Sequence, residues 1–177
     1  QDGLAADLDS DGLDEVPTEM TQLMLDGSSS VGPVSIMLNP NRPTHGGIEE
    51  KVNATPGVLD LAPFGNGGCA NSFFDVNAVV KVGGRVLCPE SPLHLRAMIC
   101  HKPPAPGEAY MNLVDQPPIH LLECDTGQPT GIFLVGEMHT PTIPKERDFF
   151  SYSLGKINVR HPDGTIERVV VGMSMID

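Results

Sequence analysis

The sequence predicts an all-β fold: an antiparallel β-sandwich or jelly-roll-like domain with an extended N-terminal calcium-loop arm. Three observations predict it. Short apolar runs recur with turn chemistry between them, the pattern of antiparallel sandwiches and jelly rolls. Glycine and proline supply 36 of 177 residues, against about 12% in ordinary proteins, and they punctuate the runs instead of pooling in one block. Only Ile48 to Asn53 has the make-up of a short helical turn. The length suits one domain with a real core, divided into an acidic arm with its linking strand over 1–26 and a sandwich over 27–177. Nowhere do 18 apolar residues run together, so no membrane span is expected.

The elements follow in order. Met20 to Leu25 is a short apolar-rich run ending in Asp26-Gly27, and Ser28 to Gly32 reads as a loop. Val34 to Leu38 alternates and is closed by Asn39-Pro40. Ser72 to Val82 is the longest run; Gly83-Gly84 then breaks the pattern before Arg85 to Cys88 resumes it, the form of a two-residue hairpin. Leu95 to His101 is stopped by Pro103-Pro104, and Pro103 to Pro118 reads as an extended excursion. Ile119 to Cys124 and Gly131 to Met138 flank a turn-rich stretch, and Lys156 to Arg160 and Thr165 to Val171 flank His161-Pro162-Asp163-Gly164.

Charge singles out the N-terminus. Eight acids and no bases fall in the first 26 residues, which supply −8 of the net −12. Asp7-Leu8-Asp9-Ser10-Asp11-Gly12 sets a carboxylate on every second residue, then a glycine where the chain must turn. That is how a loop wraps a hard, oxygen-seeking cation. Asp7, Asp9 and Asp11 are the expected Ca²⁺ ligands, with the Leu13 carbonyl and Glu15 or Glu19 completing the shell. Val16-Pro17 disfavours a helix directly afterwards, so the loop should lead into a strand. The alternative is a solvated acidic tail. An acidic chain without a basic stripe repels nucleic acid and anionic membrane.

Cys69, Cys88, Cys100 and Cys124 contain no C-x-x-C pair, which disfavours zinc ribbons and redox motifs. Two structural disulfides in an oxidising compartment are expected, with three pairings open and free thiols the alternative. Asn53-Ala54-Thr55 fits a glycan acceptor, and Ser28, Ser29 and Ser30 are weaker O-linked candidates. The six histidines form no H-x-H or H-E-x-x-H, and neither a nucleophile elbow nor a phosphate-binding loop occurs. No enzyme is expected. If the protein is exported, Gln1 follows a cleavage site.

Asp9 to Val16, Thr18-Glu19-Met20, Gly27 to Ser30, Ser72 to Val76 and His101 to Pro104 together resemble secreted bacterial β-sandwich surface proteins. They are also similar to subunits of glycosylated extracellular helical fibrils from freshwater environments. The resemblance implies a secreted structural subunit that polymerises head-to-tail with itself and carries covalent glycans. In that reading Val16, Met20, Leu23, Met24 and Leu25 anchor the arm on a neighbour's sheet edge. The second reading is a monomeric calcium-stabilised adhesion or carbohydrate-binding module, for which the absence of Trp leaves few rings. A secreted hydrolase with spatially paired carboxylates is the third.

Overall fold

The computed structural model describes residues 3–65, 67–112, 117–142 and 152–172. Among them are thirteen strands and no helix: β1 (Glu15–Met20), β2 (Met24–Ser29), β3 (Gly32–Leu38), β4 (Thr44–Glu50), β5 (Ala70–Val76), β6 (Ala78–Val82), β7 (Arg85–Pro89), β8 (Leu93–Ile99), β9 (Tyr110–Met111), β10 (Ile119–Glu123), β11 (Pro129–Thr142), β12 (Tyr152–Arg160) and β13 (Ile166–Gly172). All pairings between these strands are antiparallel.

The expected sandwich is replaced by a closed barrel. Eight strands follow one another in the order β11-β10-β7-β6-β3-β2-β13-β12, and β12 pairs back onto β11. The closing strand, β11, is 14 residues long, so it outruns β10. Its far end pairs with β9 through Met138 and His139. From there the same 13-strand sheet continues past the barrel into a smaller part, the small sheet, in the order β9-β8-β5-β4-β1. An eight-strand barrel is just wide enough for side chains to fill. Alternating residues such as Val34 and Ile36, Ala78 and Val80, and Val169 and Val171 fill it, around Leu25, Leu87 and Leu121.

The small sheet meets this core at one end through Val76, Leu93 and Leu95. At its other end Ile48, Ala70, Ala97 and Ile99 form a second core with Leu59 and Leu61, which lie in the segment after β4. Residues 3–6 complete that cover: Leu59 N–H donates to the Gly3 carbonyl at 2.8 Å, and Ala5 N–H to Gly57 at 3.1 Å. Gly3 has φ +67°, and a Cβ there would come within 2.7 Å of the Phe64 side chain, so neither the turn nor the contact admits another residue.

Three readings of the sequence change. Ser72 to Val82 is two strands broken at Asn77, whose N–H donates to Thr44 Oγ1 at 3.0 Å and whose Nδ2 donates to the Pro43 carbonyl at 2.8 Å. There the chain leaves the small sheet and enters the barrel. Ile48 to Glu50 belongs to β4 and is not helical. Ser28 and Ser29 extend β2, so the expected loop shrinks to Ser30-Val31 before β3. The Gly83-Gly84 hairpin forms as expected, with φ values of 55° and 80°.

The anchors assigned to an intermolecular arm are satisfied within the chain. β1 pairs with β4 from Glu15↔Glu49 to Met20↔Thr44. Val16 packs on the second core, Met20 and Leu23 on the barrel core, and Leu25 is fully buried in the barrel. Met24, half-buried, pairs with Met37. The expected division at residue 26 falls inside β2. An edge on the same chain supplies the hydrogen bonds without the translational entropy cost of association. Pro17 fits this position, since a residue lacking an N–H is tolerated on an edge strand.

Both disulfides are present. Cys69–Cys100 ties the approach to β5 to the end of β8, and Cys88–Cys124 ties β7 to the end of β10. Each closes a loop between strands that already pair. From separations of 31 and 36 residues, removing either by a double Cys→Ser change should cost about 3–4 kcal/mol, read from urea midpoints. Leu25→Ala should cost about 2–5 kcal/mol in the monomer. An exchanged arm would instead leave monomer stability unchanged.

Candidate functional site

The acidic loop is curled by its own backbone. Asp7 accepts hydrogen bonds from the N–H groups of Asp11 and Gly12 at 3.1 and 3.0 Å. Asp9 accepts from Asp11 N–H at 3.2 Å, and Asp11 from Leu13 N–H at 2.8 Å. Ser10 and Gly12 take left-handed conformations, with φ of 69° and 94°, which turn the chain back on itself. Glu15 at the start of β1 reaches over to accept from Leu8 N–H at 2.9 Å. The loop thus leads into a strand, as its Val16-Pro17 exit predicts.

Two overlapping sets of carboxylates result. Oxygens of Asp7, Asp9 and Glu15 lie within 4.8 Å of one another, and so do those of Asp9, Asp11 and Glu49. Asp9 belongs to both. Glu49, unforeseen from the sequence, arrives because β4 places it directly opposite Glu15. Burial, together with the charges of Asp11, Asp9 and Glu15, raises its pKa above the ordinary glutamate value. Glu15 Oε2 is buried and has no hydrogen-bond partner, and the same holds for Asn53 Oδ1. Leu13 sits at the loop's exit. Glu19 is removed from the cluster: it lies four strand positions beyond Glu15, roughly 14 Å away, opposite His45.

Directly beneath, three further carboxylates are buried: Asp14, Glu50 and Asp60. Backbone amides hold them. Asp14 accepts from Gly57 N–H at 2.5 Å, Glu50 accepts from Asp14 and Asp60 N–H at 3.2 and 3.1 Å, and Asp60 accepts from Ala54 and Thr55 N–H at 2.6 and 2.8 Å. Burial pushes the Asp60 carboxyl up, but the hydrogen bonds from Thr55 and Ala54 outweigh it and hold the pKa below the usual aspartate value. These bonds staple residues 53–60 and the N-terminal segment onto the small sheet.

The outward face of that sheet adjoins the acidic corner. Side chains alternate across a strand, so residues in register form rows. The first row reads Glu15, Glu49, Asn71 and Met98; the second, Pro17, Gly47, Phe73, Arg96 and Met111; the third, Glu19, His45, Asp75 and His94. An open cleft of about 970 Å³ runs over the face and is lined by Glu15, Glu49, Phe73, His94, Arg96 and Met98 among others. Phe73 is 38% exposed and lies over Gly47, where a Cβ would come within 2.8 Å of its ring. His94 stacks on that ring, centroids 5.6 Å apart. Arg96 Nε donates to His94 Nε2 at 2.6 Å, so His94 Nδ1 carries the hydrogen and donates to Asp75 at 2.5 Å.

The sequence-level glycan candidates divide. Asn53 is half-buried, and its Nδ2 donates to the Gly12 carbonyl at 3.3 Å, so a sugar there would compete with the acidic loop. Ser29 and Ser30 spend their hydroxyls on the Gly32 carbonyl and on Glu167; Ser28 is exposed. Phe73 and Arg96 were missed because strand alternation points Phe73 outward and Phe74 inward, which the run of two phenylalanines conceals.

The chain matches no family model, no curated protein and no solved structure. No helix among the described residues is long and apolar enough to cross a membrane.

The buried staple predicts an acid response. Asp60 has a depressed folded pKa, so its contribution is present above the ordinary aspartate pKa and is lost as pH falls through the folded value. Asp60→Asn should be less stable than the wild type at neutral pH, and the gap should narrow toward pH 2. Urea midpoints across that range check it.

Proposed function

We propose that this chain is a secreted, calcium-stabilised adhesion module of the carbohydrate-binding kind, whose working surface is the outward face of the small sheet. One observation carries the reading. Glu15 and Glu49 belong both to the acidic cluster and to the lining of the cleft around Phe73. A cation held there would sit at the edge of a cleft that contains the partly exposed Phe73 ring and several polar side chains. Stacking on an exposed ring with hydrogen bonds around its rim suits sugars, which have an apolar face and a hydroxyl edge.

The residues fit calcium. Five carboxylates form two triads that share Asp9, and one of them, Glu15, has a buried, unpartnered oxygen; Ca²⁺ takes six to eight oxygen ligands. Asp7, Asp9, Asp11, Glu15 and Glu49 would hold the ion. Its charge would offset both the burial and the neighbouring carboxylates that raise the Glu49 pKa, and would clamp the loop to β4. The two disulfides and the external abundance of calcium support a place outside the cell. The face needs no second subunit, and the strand expected to serve as a donor arm is occupied.

At about 100 times its dissociation constant, calcium should add about 2.7 kcal/mol, or roughly 5–10 °C in Tm for a chain of this size. Asp9→Asn should abolish that shift, whereas Glu19→Gln should preserve it. A glycan array should give a signal that Phe73→Ala removes, from protein that stays monomeric by light scattering in millimolar calcium. No calcium shift, or filaments under those conditions, would overturn the reading; filaments would favour a structural assembly.

A further inference from the structure

We propose that Met98 and Met111 are a pair of oxidation sites on the outward face of the small sheet. A hydroperoxide converts each thioether there to a sulfoxide, and Lys51 and Arg96 capture the two new oxygens.

Accessibility singles out these two. Of the methionines among the described residues, Met20, Met24, Met37 and Met138 are half-buried, whereas Met98 is 57% exposed and Met111 46%. Both exposed ones line the same cleft, in its first and second rows. A thioether reacts through a sulfur lone pair that the oxidant must reach, so exposure sets the order of attack. Each methionine consumes one hydroperoxide. The sulfur attacks the terminal peroxide oxygen, an S–O bond forms and the O–O bond breaks. Sulfur gives up two electrons and the peroxide takes them. The proton on the transferred oxygen passes to the departing one, which leaves as water or an alcohol. A flexible apolar side chain becomes a polar one, and a weak sulfur acceptor is replaced by an oxygen.

A charged donor stands beside each sulfur. Lys51 Nζ already points at Met98 Sδ, 3.7 Å away, and pairs with no carboxylate among the described residues. Met111 lies directly opposite Arg96 across β9 and β8, a placement that sets Cβ atoms about 5 Å apart on one face. Arg96 Nε is engaged by His94 at 2.6 Å, and its terminal nitrogens have no partner among the described residues. Hydrogen bonds from a charged donor are roughly twice as strong as neutral ones, so both cations gain by turning to a sulfoxide oxygen. Arg96 is then held toward β9, and the row Phe73, Arg96, Met111 loses its apolar end. On the proposed adhesion module, that change should weaken a sugar stacked on Phe73; this consequence rests on that reading, whereas the oxidation and the capture do not.

NMR of the full chain with labelled methionine methyls, titrated with hydrogen peroxide, tests this. Met98→Leu and Met111→Leu assign the signals and should fold normally, since Leu conserves volume and both sites are exposed. We expect the Met98 and Met111 methyls to convert at least tenfold faster than those of Met20, Met24, Met37 and Met138. The Arg96 Nε–H signal should shift as Met111 is oxidised and the Lys51 Cε signal as Met98 is, and each shift should vanish in the matching Leu variant. Uniform conversion, or cation signals that stay in place as the sulfoxides form, would overturn the inference. The glycan-array signal should fall at least tenfold after oxidation and survive it in the Met98→Leu/Met111→Leu double variant. A signal that oxidation leaves intact would overturn the inference as well. No array signal before oxidation would overturn the adhesion module alone, and the conversion rates and cation shifts would still decide this inference.

Discussion

The register of β1 against β4 is the constraint on which the rest depends. With Glu15 opposite Glu49, consecutive acids on β4 are sent to opposite faces. Glu49 joins the loop carboxylates, and Glu50 enters the interior, where two backbone amides neutralise its demand for hydrogen bonds. A one-residue shift of β4 between its two neighbours would exchange them. It would bury Glu49 without amide partners and expose the side chain on which the staple depends. The register of β4 against β5 in turn places Gly47 beside Phe73, so β4 links the Phe73 face to the acidic corner.

This layer works against an electrostatic load. Eight of the chain's acids crowd into 26 residues, and two more come from β4. The fold manages the buried ones with backbone N–H groups, which favour the charged form without adding a side-chain base. The exposed loop carboxylates also accept backbone N–H bonds, but they crowd one another. Burial and the neighbouring charges of Asp11, Asp9 and Glu15 together raise the pKa of Glu49, and an unpartnered oxygen of Glu15 is buried beside them. The proposed cation would resolve both defects at once. Elsewhere the fold pairs acids with histidine: Glu108 with His101, and Glu167 with His161. Burial pushes the Glu108 carboxyl up, but its hydrogen bonds hold the pKa below the usual glutamate value; Glu167 is likewise held low by Ser30 and His161.

Much of this was legible in the sequence. The D-x-D-x-D-G spacing marks a curled acidic loop, the Gly83-Gly84 pair marks a hairpin, and the cysteine spacings point to disulfides. What eluded reading was long-range. Closure of the barrel depends on the pairing of β12 with β11, and no local pattern encodes which strands meet. Glu49 stands 34 positions from Glu15, and its partner is fixed only by the sheet. Glu19 looked like a ligand because a loop motif counts along the chain, whereas a strand carries each further residue about 3.4 Å away. The apolar residues from Val16 to Leu25 looked like anchors for a neighbour because the β4 edge that receives β1 includes Gly46 and Gly47, which give no apolar signal.

An anomalous difference map from crystals grown with a lanthanide in place of calcium tests the central claim most directly. The account predicts one strong peak at the acidic corner, with oxygens of Asp9, Glu15 and Glu49 about 2.3–2.6 Å from the ion. A peak that excludes Glu49, or no peak between the loop and β4, would contradict it.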